Sequence, residues 1–221
     1  MGGAVRDELL GVKSKDLDYS VEAPSFEAMR DWILSQGMEI FLDKPEFNII
    51  RARNGKEVAD YVMCRKEGPY TDSRHPDWVE AGTIFDDLAR RDFTVNAIAK
   101  DAETGELVDP WNGQVDLENK ILRAVGNAND RISEDPLRAY RALRFSVTKD
   151  LLFDDELHRT LRDASIYDKM DSVSTERIRE EISKMFRHDS WVSVHRLMGY
   201  PIYLEIAVER GIWFKPTTED L

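Results

Sequence analysis

The feature that most constrains this chain is its opening stretch, Met1 to Asp18. The pair Gly2-Gly3 leads a short helix-prone run that carries Arg6 and Asp7, and Asp16 and Asp18 follow, two apart. Paired glycine opening a helix lets the backbone come close to an anion and points free N–H groups at it. Residues i and i+2 of a strand share a face, so Asp16 and Asp18 aim two carboxylates at one point. Two hard oxygen ligands side by side suit Mg²⁺ that is also held by substrate phosphates. A phosphate cradle beside a metal clamp supplies the parts that nucleotidyl transfer needs. Taken alone, though, Gly-Gly pairs mark turns and Asp-x-Asp occurs in solvated loops, so the rest of the chain has to decide.

The chain has 221 residues, 42% hydrophobic and 33% charged, which is enough for one large domain or two small ones with a real core. Its net charge of −12 argues against a generic nucleic-acid coat. A local arginine cluster can still bind RNA within an acidic chain, with low and salt-sensitive affinity. The single cysteine, Cys64, rules out an internal disulfide and fits a reducing compartment. No apolar run approaches a membrane span and no signal-peptide pattern opens the chain, so the expected location is cytoplasmic, away from membranes.

Along the chain, residues 4–10 read as a short helix broken at Gly11, and residues 16–21 as a strand. Pro24-Ser25 starts a helix to about Gln36, with Phe26, Met29, Ile33 and Leu34 near one face. Two strands flank Asn54-Gly55, a favoured hairpin turn. In the second of them Val58, Asp60 and Val62 share a face. An aspartate between valines is either an edge charge facing water or a third carboxylate beside the first two. Residues 65–84 show little periodicity and read as a long mobile loop. Arg90, Arg91 and Asp92 then precede an apolar run expected to be helical. Arginine can grip phosphate or base, and aspartate can accept a bond from a ribose hydroxyl. Asp109-Pro110 and Asn112-Gly113 punctuate the chain and suggest a domain boundary, with helices beyond it.

The second key stretch is SEDPLRAYRALRFSV, residues 133–147. It reads as one helix with Ser133 as cap and Pro136 near its start. Arg138, Arg141 and Arg144 follow at steps of three, apart from an apolar row of Leu137, Tyr140 and Leu143. An amphipathic helix explains the leucines but not three arginines and no lysine beside Asp135. Asp135 and Arg138 are one turn apart and can present an acceptor and a donor fork to one base edge. Ser174 opens a further helix, followed by a helical run and a polar finish after Tyr200-Pro201. His188-Asp189 invites a metal-hydrolase reading, but the other histidines, His75, His158 and His195, are not in register for one, so the pair reads as structural.

These stretches together resemble the class II tRNA nucleotidyltransferases (CCA-adding enzymes) and the related bacterial poly(A) polymerases. The likeness runs in order through GGAVRDELLG with DLD, RRDFTVNAIA, VDPWNGQVDL, SEDPLRAYRALRF and STERIREEI, over roughly residues 1–187. It implies an α+β fold: a DNA-polymerase-β-like nucleotidyltransferase head with a small mixed sheet, followed by an all-helical neck. The expected divisions are 1–109 for the head, 110–187 for the neck and 188–221 for a shortened body-like end. The resemblance implies that Asp16 and Asp18 hold Mg²⁺ and, with Asp60 on the neighbouring strand, form the catalytic carboxylates. Gly3 and Arg6 would meet the triphosphate, and Arg91 and Asp92 the nucleotide's sugar and phosphates, with Asn96 among the nucleotide-binding residues. Asp135 and Arg138, supported by Arg141, would read the Watson–Crick edge of CTP or ATP. Residues 109–116 would be a flexible joint.

Two departures from the family's pattern stand out. The family carries a strand ahead of the Gly-Gly pair, whose loss should destabilise the sheet and loosen the cradle, and it continues into body and tail domains that hold tRNA. The expected activity is transfer of C or A from CTP or ATP to the 3′ end of tRNA or another RNA, with release of pyrophosphate. The alternatives are poly(A) synthesis and a catalytically silent nucleotide-binding head. A dimer would be one way to supply the RNA grip.

Overall fold

The computed structural model describes residues 1–12, 17–71 and 76–213. They form two compact units: Met1–Thr71, Pro76–Asn119 and Arg123–Gly126 in the first, Lys120–Leu122 and residues 127–213 in the second. Among the described residues no helix is long and apolar enough to cross a membrane.

The first unit runs α1 (Gly3–Leu9), β1 (Leu17–Val21), α2 (Phe26–Ser35), β2 (Glu39–Lys44), β3 (Ile49–Asn54), β4 (Glu57–Met63), β5 (Arg65–Glu67), β6 (Val79–Ala81), α3 (Ile84–Ala89), β7 (Ala99–Lys100), β8 (Leu107–Val108) and α4 (Gly113–Glu118). Its main sheet has the order β1-β4-β3-β2, with β1 parallel to β4 and the other pairs antiparallel. Ser25 caps α2 by accepting the Ala28 N–H at 3.1 Å. Phe26, Met29 and Ile33 recur at helical spacing and pack on Ile50, Ala52, Ala59, Tyr61 and Met63. Burying an aliphatic side chain of this size stabilises by about 1.5–3 kcal/mol, so truncating fully buried Ile33 would leave a costly hole under the sheet.

Alternation along the strands then dictates the other face. With Ala59, Tyr61 and Met63 turned to α2, residues Val58, Asp60 and Val62 must point the other way, where they are exposed or half-buried. The sheet is therefore apolar on one side and open on the side that carries its charges. β2 has no counterpart in the sequence reading. A register shift between Ile40 and Leu42 breaks its alternation, and it lies at the sheet edge.

Several expectations are corrected in this unit. Residues 65–84 are not one loop: β5 and β6 pair antiparallel, Arg65 opposite Ala81, while residues 72–75 lie outside the described residues. The apolar run after Asp92 is not an α-helix. Phe93 to Ala99 are all buried, with a single 3₁₀ turn at Thr94–Asn96. Its backbone bonds instead to residues 123–125, through Thr94 N–H to Arg123 O (3.0 Å) and Val125 N–H to Asp92 O (3.1 Å). Burial on every side removes the periodicity by which a helix is distinguished.

The division expected after Asp109 also falls elsewhere, because residues 110–119 pack with the first unit. Asp109 accepts from Gly113 N–H (2.7 Å) and Gln114 N–H (2.9 Å), Asp116 is buried and accepts from Thr94 Oγ1 (2.7 Å), and Trp111 packs against the Leu88, Ala97, Ala99 and Val125 cluster. A Cβ at Gly113 would stand 2.1 Å from Thr94 O. The segment expected as a flexible joint is thus tied down within the first unit by polar and steric contacts.

The second unit contains β9 (Ile121–Leu122), α5 (Ala128–Glu134), α6 (Leu137–Thr148), β10 (Leu152–Phe153, parallel to β9), α7 (Asp155–Thr160), α8 (Ile166–Lys169), α9 (Thr175–His188), α10 (Ser190–Met198) and α11 (Pro201–Glu209). Tyr140 and Tyr203 cross edge to face at 5.2 Å, and the Tyr140 hydroxyl donates to Tyr203 O at 2.7 Å. Both rings are buried, and burial pushes both phenols above their ordinary pKa. Residues 133–147 are not one helix. Ser133 belongs to α5, where its hydroxyl donates to Asn129 O (2.6 Å), and Asp135-Pro136 separates α5 from α6. The residue before a proline is driven out of helical geometry, and Asp135 is extended at φ −144, ψ 97. Beyond Tyr200 the chain forms α11 with Pro201 in its first turn, instead of a polar finish at that point. Asp189 caps α10 by accepting the Val192 N–H (2.9 Å), a structural role.

Candidate functional site

The parallel register of β1 on β4 sets Asp18 beside Asp60. Adjacent strands lie about 4.8 Å apart, so two side chains on one face at paired positions are neighbours. β3 adds Arg51 opposite Asp60. Its guanidinium forks onto the carboxylate, Nε to Oδ1 at 2.5 Å and Nη2 to Oδ2 at 2.6 Å. Among the described residues, the open sheet face thus carries Asp18 and Asp60, with Arg51 bound to Asp60. Asp16, expected beside Asp18, lies outside the described residues. Among the described residues no three His, Cys, Asp or Glu side chains form a metal-binding group.

Beside this face stands the Gly-Gly turn. Gly2 has φ +59, a conformation that only glycine adopts freely, and a Cβ there would meet Arg91 Nη1 at 2.6 Å. Met1 N donates to Asp18 O (2.6 Å) and Gly2 N–H to Ile98 O (2.9 Å), which seats the turn between β1 and the buried 93–99 run. Burial, and then the Arg91 charge, hold the Met1 amine below its ordinary pKa. Arg6, one turn into α1 and only 6% exposed, donates from Nη1 to Asn96 Oδ1 and from Nη2 to Asp7 Oδ1 (2.7 Å). Asn96 Nδ2 donates to Asp92 Oδ1 (2.9 Å), which also accepts the Phe93 N–H (2.8 Å). Arg6, Asn96 and Asp92 therefore form one hydrogen-bonded chain, and a Cβ at Gly3 would touch Arg6 Nη2 at 3.5 Å. Arg91 donates from Nη2 to Asp87 Oδ2 (3.1 Å), while its buried Nε has no hydrogen-bond partner among the described residues. The structure thus gathers Gly3, Arg6, Arg91, Asp92 and Asn96 round the turn. The Arg91 guanidinium stands with Nη1 against the Gly2 backbone and keeps its buried Nε–H without a hydrogen-bond partner among the described residues; a guanidinium is a donor suited to an anion.

The second group lies wholly in the second unit. Asp135 Oδ2 accepts from Arg177 Nη2 (2.9 Å) on α9, and Oδ1 accepts the Leu137 N–H (3.2 Å). Arg138 Nη1 donates to Glu134 Oε2 (2.7 Å) and to Arg131 O (2.8 Å) at the end of α5. Arg141 stands 4.0 Å from Glu181 and lies with Arg144 over the Phe145 ring. Arg144 Nε holds the buried Glu181 at 2.5 Å, so it completes a core ion pair. Sequence reasoning passed over Glu134, Arg177, Asp87 and Arg51. Glu134 was findable, since it sits four before Arg138 and three after Arg131. Arg177 and Arg51 act across elements, which spacing cannot reveal.

A small mixed sheet with one open, carboxylate-bearing face beside a glycine turn and an Arg-Asn-Asp chain is the architecture of a DNA-polymerase-β-like nucleotidyltransferase head. The chain belongs to the family described as the Poly A polymerase head domain, whose model matches residues 1–123. It is 35% identical over 192 residues to a CCA-adding enzyme of Lactococcus lactis subsp. cremoris, covering 86% of this chain and 46% of that enzyme. It superposes with a TM-score of 0.78 at 28% identity on a tRNA nucleotidyltransferase complexed with a primer tRNA and an incoming ATP analogue, covering 94% of this chain and 58% of that one. The corresponding values for the Bacillus stearothermophilus CCA-adding enzyme in complex with CTP are 0.76 and 26%, with 94% and 47% covered. The chain spans about half the length of the relatives it matches.

Proposed function

We propose that this chain carries the nucleotide-transferring part of a CCA-adding enzyme, moving C and A from CTP and ATP to the 3′ end of tRNA. The observation that carries the reading is the pairing of Asp18 with Asp60 on an open sheet face, next to the glycine turn and its arginines. The names of the relatives, and of the neighbours bound to tRNA, an ATP analogue or CTP, support the same choice.

In the reaction the RNA 3′ oxygen bonds to the α-phosphorus, the bond from that phosphorus to the bridging oxygen breaks, and pyrophosphate leaves. Gly3, Arg6 and Arg91 bind the departing phosphates, and Asp92 with Asn96 orients the sugar. The carboxylate oxygens of Asp18 and Asp60 fit a hard cation that keeps water and phosphate as its other ligands, and Asp16 is the further ligand expected from the sequence. Bound there, Mg²⁺ would neutralise charge at the α-phosphate and acidify the attacking hydroxyl. Asp60 acts as a further ligand or takes the hydroxyl proton on the carboxylate oxygens that Arg51 now holds. Asp135 and Arg138 supply the acceptor and donor that select the base, Arg177 and Glu134 hold them in place, and Arg141 supports them. Most of the rate then comes from positioning and electrostatics, not covalent catalysis.

The test is primer extension on a tRNA lacking its CCA end, with Mg²⁺ and each nucleotide alone and then CTP with ATP. Addition of two C and one A followed by a stop is expected. A run of A would replace this reading with poly(A) synthesis. CTP binding without any product would leave only a nucleotide-binding head.

A further inference from the structure

We infer that Asp87 is a positioning residue for the triphosphate: its buried carboxylate fixes the Arg91 guanidinium against the Gly2 turn, so affinity for the β- and γ-phosphates depends on a side chain that touches neither. This rests on the reading of Arg91 as a phosphate contact.

Asp87 lies on α3 and is 0% exposed. A carboxylate removed from water must be paired and hydrogen-bonded to stay ionised. Two consecutive arginines satisfy it. Oδ1 accepts from Arg90 Nε (3.0 Å) and Nη2, and Oδ2 accepts from Arg91 Nη2 (3.1 Å). The two arginines are not equivalent. Arg90 also reaches Glu67 Oε1 at 3.3 Å, and Glu67 is held in turn by Arg65 (2.8 Å) and by the Tyr70 hydroxyl. Burial alone would pull the Arg90 pKa down, yet Asp87 and Glu67 together raise it above its ordinary value. Its charge is spent inside the protein.

Arg91 pairs with Asp87 and also donates from Nη2 to Met1 Sδ at 2.9 Å. Its Nε is buried without a partner among the described residues, and its Nη1 lies where a Gly2 side chain would be. Among the described residues, the guanidinium groups of Arg65, Arg90 and Arg91 pair with the buried carboxylates of Glu67 and Asp87, and Arg91 is the one that stands against the turn. Asp87 at i and Arg91 at i+4 are joined through the end of α3, so the carboxylate sets the plane of the fork.

The test compares binding of CTP with binding of CMP, which lacks the β- and γ-phosphates, by isothermal titration. Wild type should prefer CTP, and Arg91→Ala should lose most of that preference. Asp87→Asn keeps the shape, removes the charge and should weaken CTP by about tenfold, the scale of one hydrogen bond to a charged group, with CMP unchanged. The double variant should bind CTP no more weakly than Arg91→Ala alone, because both changes remove one interaction. Equal weakening of CTP and CMP by Asp87→Asn, or full additivity with Arg91→Ala, overturns the inference and leaves a structural role. Loss of preference in Arg91→Ala with none in Asp87→Asn overturns the inference alone. An unchanged preference in Arg91→Ala overturns the phosphate reading beneath it. Should Asp87→Asn fail to fold by circular dichroism, Arg91→Lys decides. It keeps the charge without the planar fork, so it should lose the preference, and full retention overturns the role of Asp87.

Discussion

Asp60 stands directly opposite Asp18 across the parallel β1–β4 pair, and both arms of Arg51 hold the Asp60 carboxylate. A metal or a proton that reaches Asp60 must therefore compete with the Arg51 guanidinium. Asp18→Asn should reduce transfer by at least about a thousandfold, while CTP binding partly remains through the arginine cluster. Single-turnover extension alongside a CTP titration would check this. Near-normal turnover in the variant would remove Asp18 from the metal clamp.

Arg51 supplies the second prediction. Its pair with Asp60 is partly exposed, so removing it should change stability by no more than about 1 kcal/mol. Arg51→Ala should instead release Asp60 and lower the Mg²⁺ concentration for half-maximal activity by several-fold, because the guanidinium no longer competes with a cation for that carboxylate. A Mg²⁺ titration of extension rate reads this directly. An unchanged or raised requirement would mean that Arg51 does not compete for Asp60.

In the second unit, Asp135 is fixed by Arg177 and Arg138 by Glu134. A site that selects by matched hydrogen bonds rejects wrong partners only while its polar groups are held in register. Asp135→Ala, Arg138→Ala and Arg177→Ala should each reduce discrimination of CTP and ATP over UTP and GTP by at least about tenfold. Competition between labelled nucleotides in one extension reaction measures it. Unaltered selectivity in Arg177→Ala, with loss in the other two, would show that α9 does not help to set the template.

What the sequence disclosed follows the range over which its signals act. β1, α2 and the β3–β4 hairpin are read from local alternation, a serine cap and Asn54-Gly55, and all appear where expected. The grouping of Arg6, Arg91, Asp92 and Asn96 came from motif resemblance, and their bonding order did not. Residues 93–99 misled because a segment buried on all sides carries no period. Ser133 misled because two short helices meeting at Asp135-Pro136 read as one capped helix. Arg51 and Arg177 were missed because their partners are set by sheet register or helix packing, whereas Asp87 was legible from Arg90 and Arg91 three and four residues on and was passed over. The Asp16 half of the expected carboxylate pair lies outside the described residues.

Gly113 tests the correction at the expected joint. Its missing side chain lets α4 rest on the carbonyl of Thr94, and alanine would bring a Cβ to 2.1 Å. Backbone on both sides must then move, against Asp109 bonds to Gly113 and Gln114 and the Thr94–Asp116 bond. Gly113→Ala should destabilise the first unit by about 1–3 kcal/mol, as overpacking does. Urea unfolding would show it as a lowered midpoint. A midpoint equal to wild type would mean that 109–116 yields readily, as a joint would.

Cys64 gives a probe of the same unit without mutation. It is fully buried at the end of β4, where its N–H donates to Val21 O (2.8 Å) and its carbonyl accepts from Gly82 (3.0 Å). Burial, then the charges of Asp87 and Glu22, push its thiol up to about 12. Only the thiolate reacts, so at pH 8 about one molecule in ten thousand is competent even before access is considered. In urea the thiol returns to its ordinary range and to solvent. A thiol-reactive disulfide reagent should modify native protein only at the rate of opening, and in urea at once and stoichiometrically. Nucleotide that binds the folded state should slow native labelling further by mass action. Rapid stoichiometric labelling in native buffer would mean that β1 and β4 part locally, and that the carboxylate face they build is assembled only when substrate arrives.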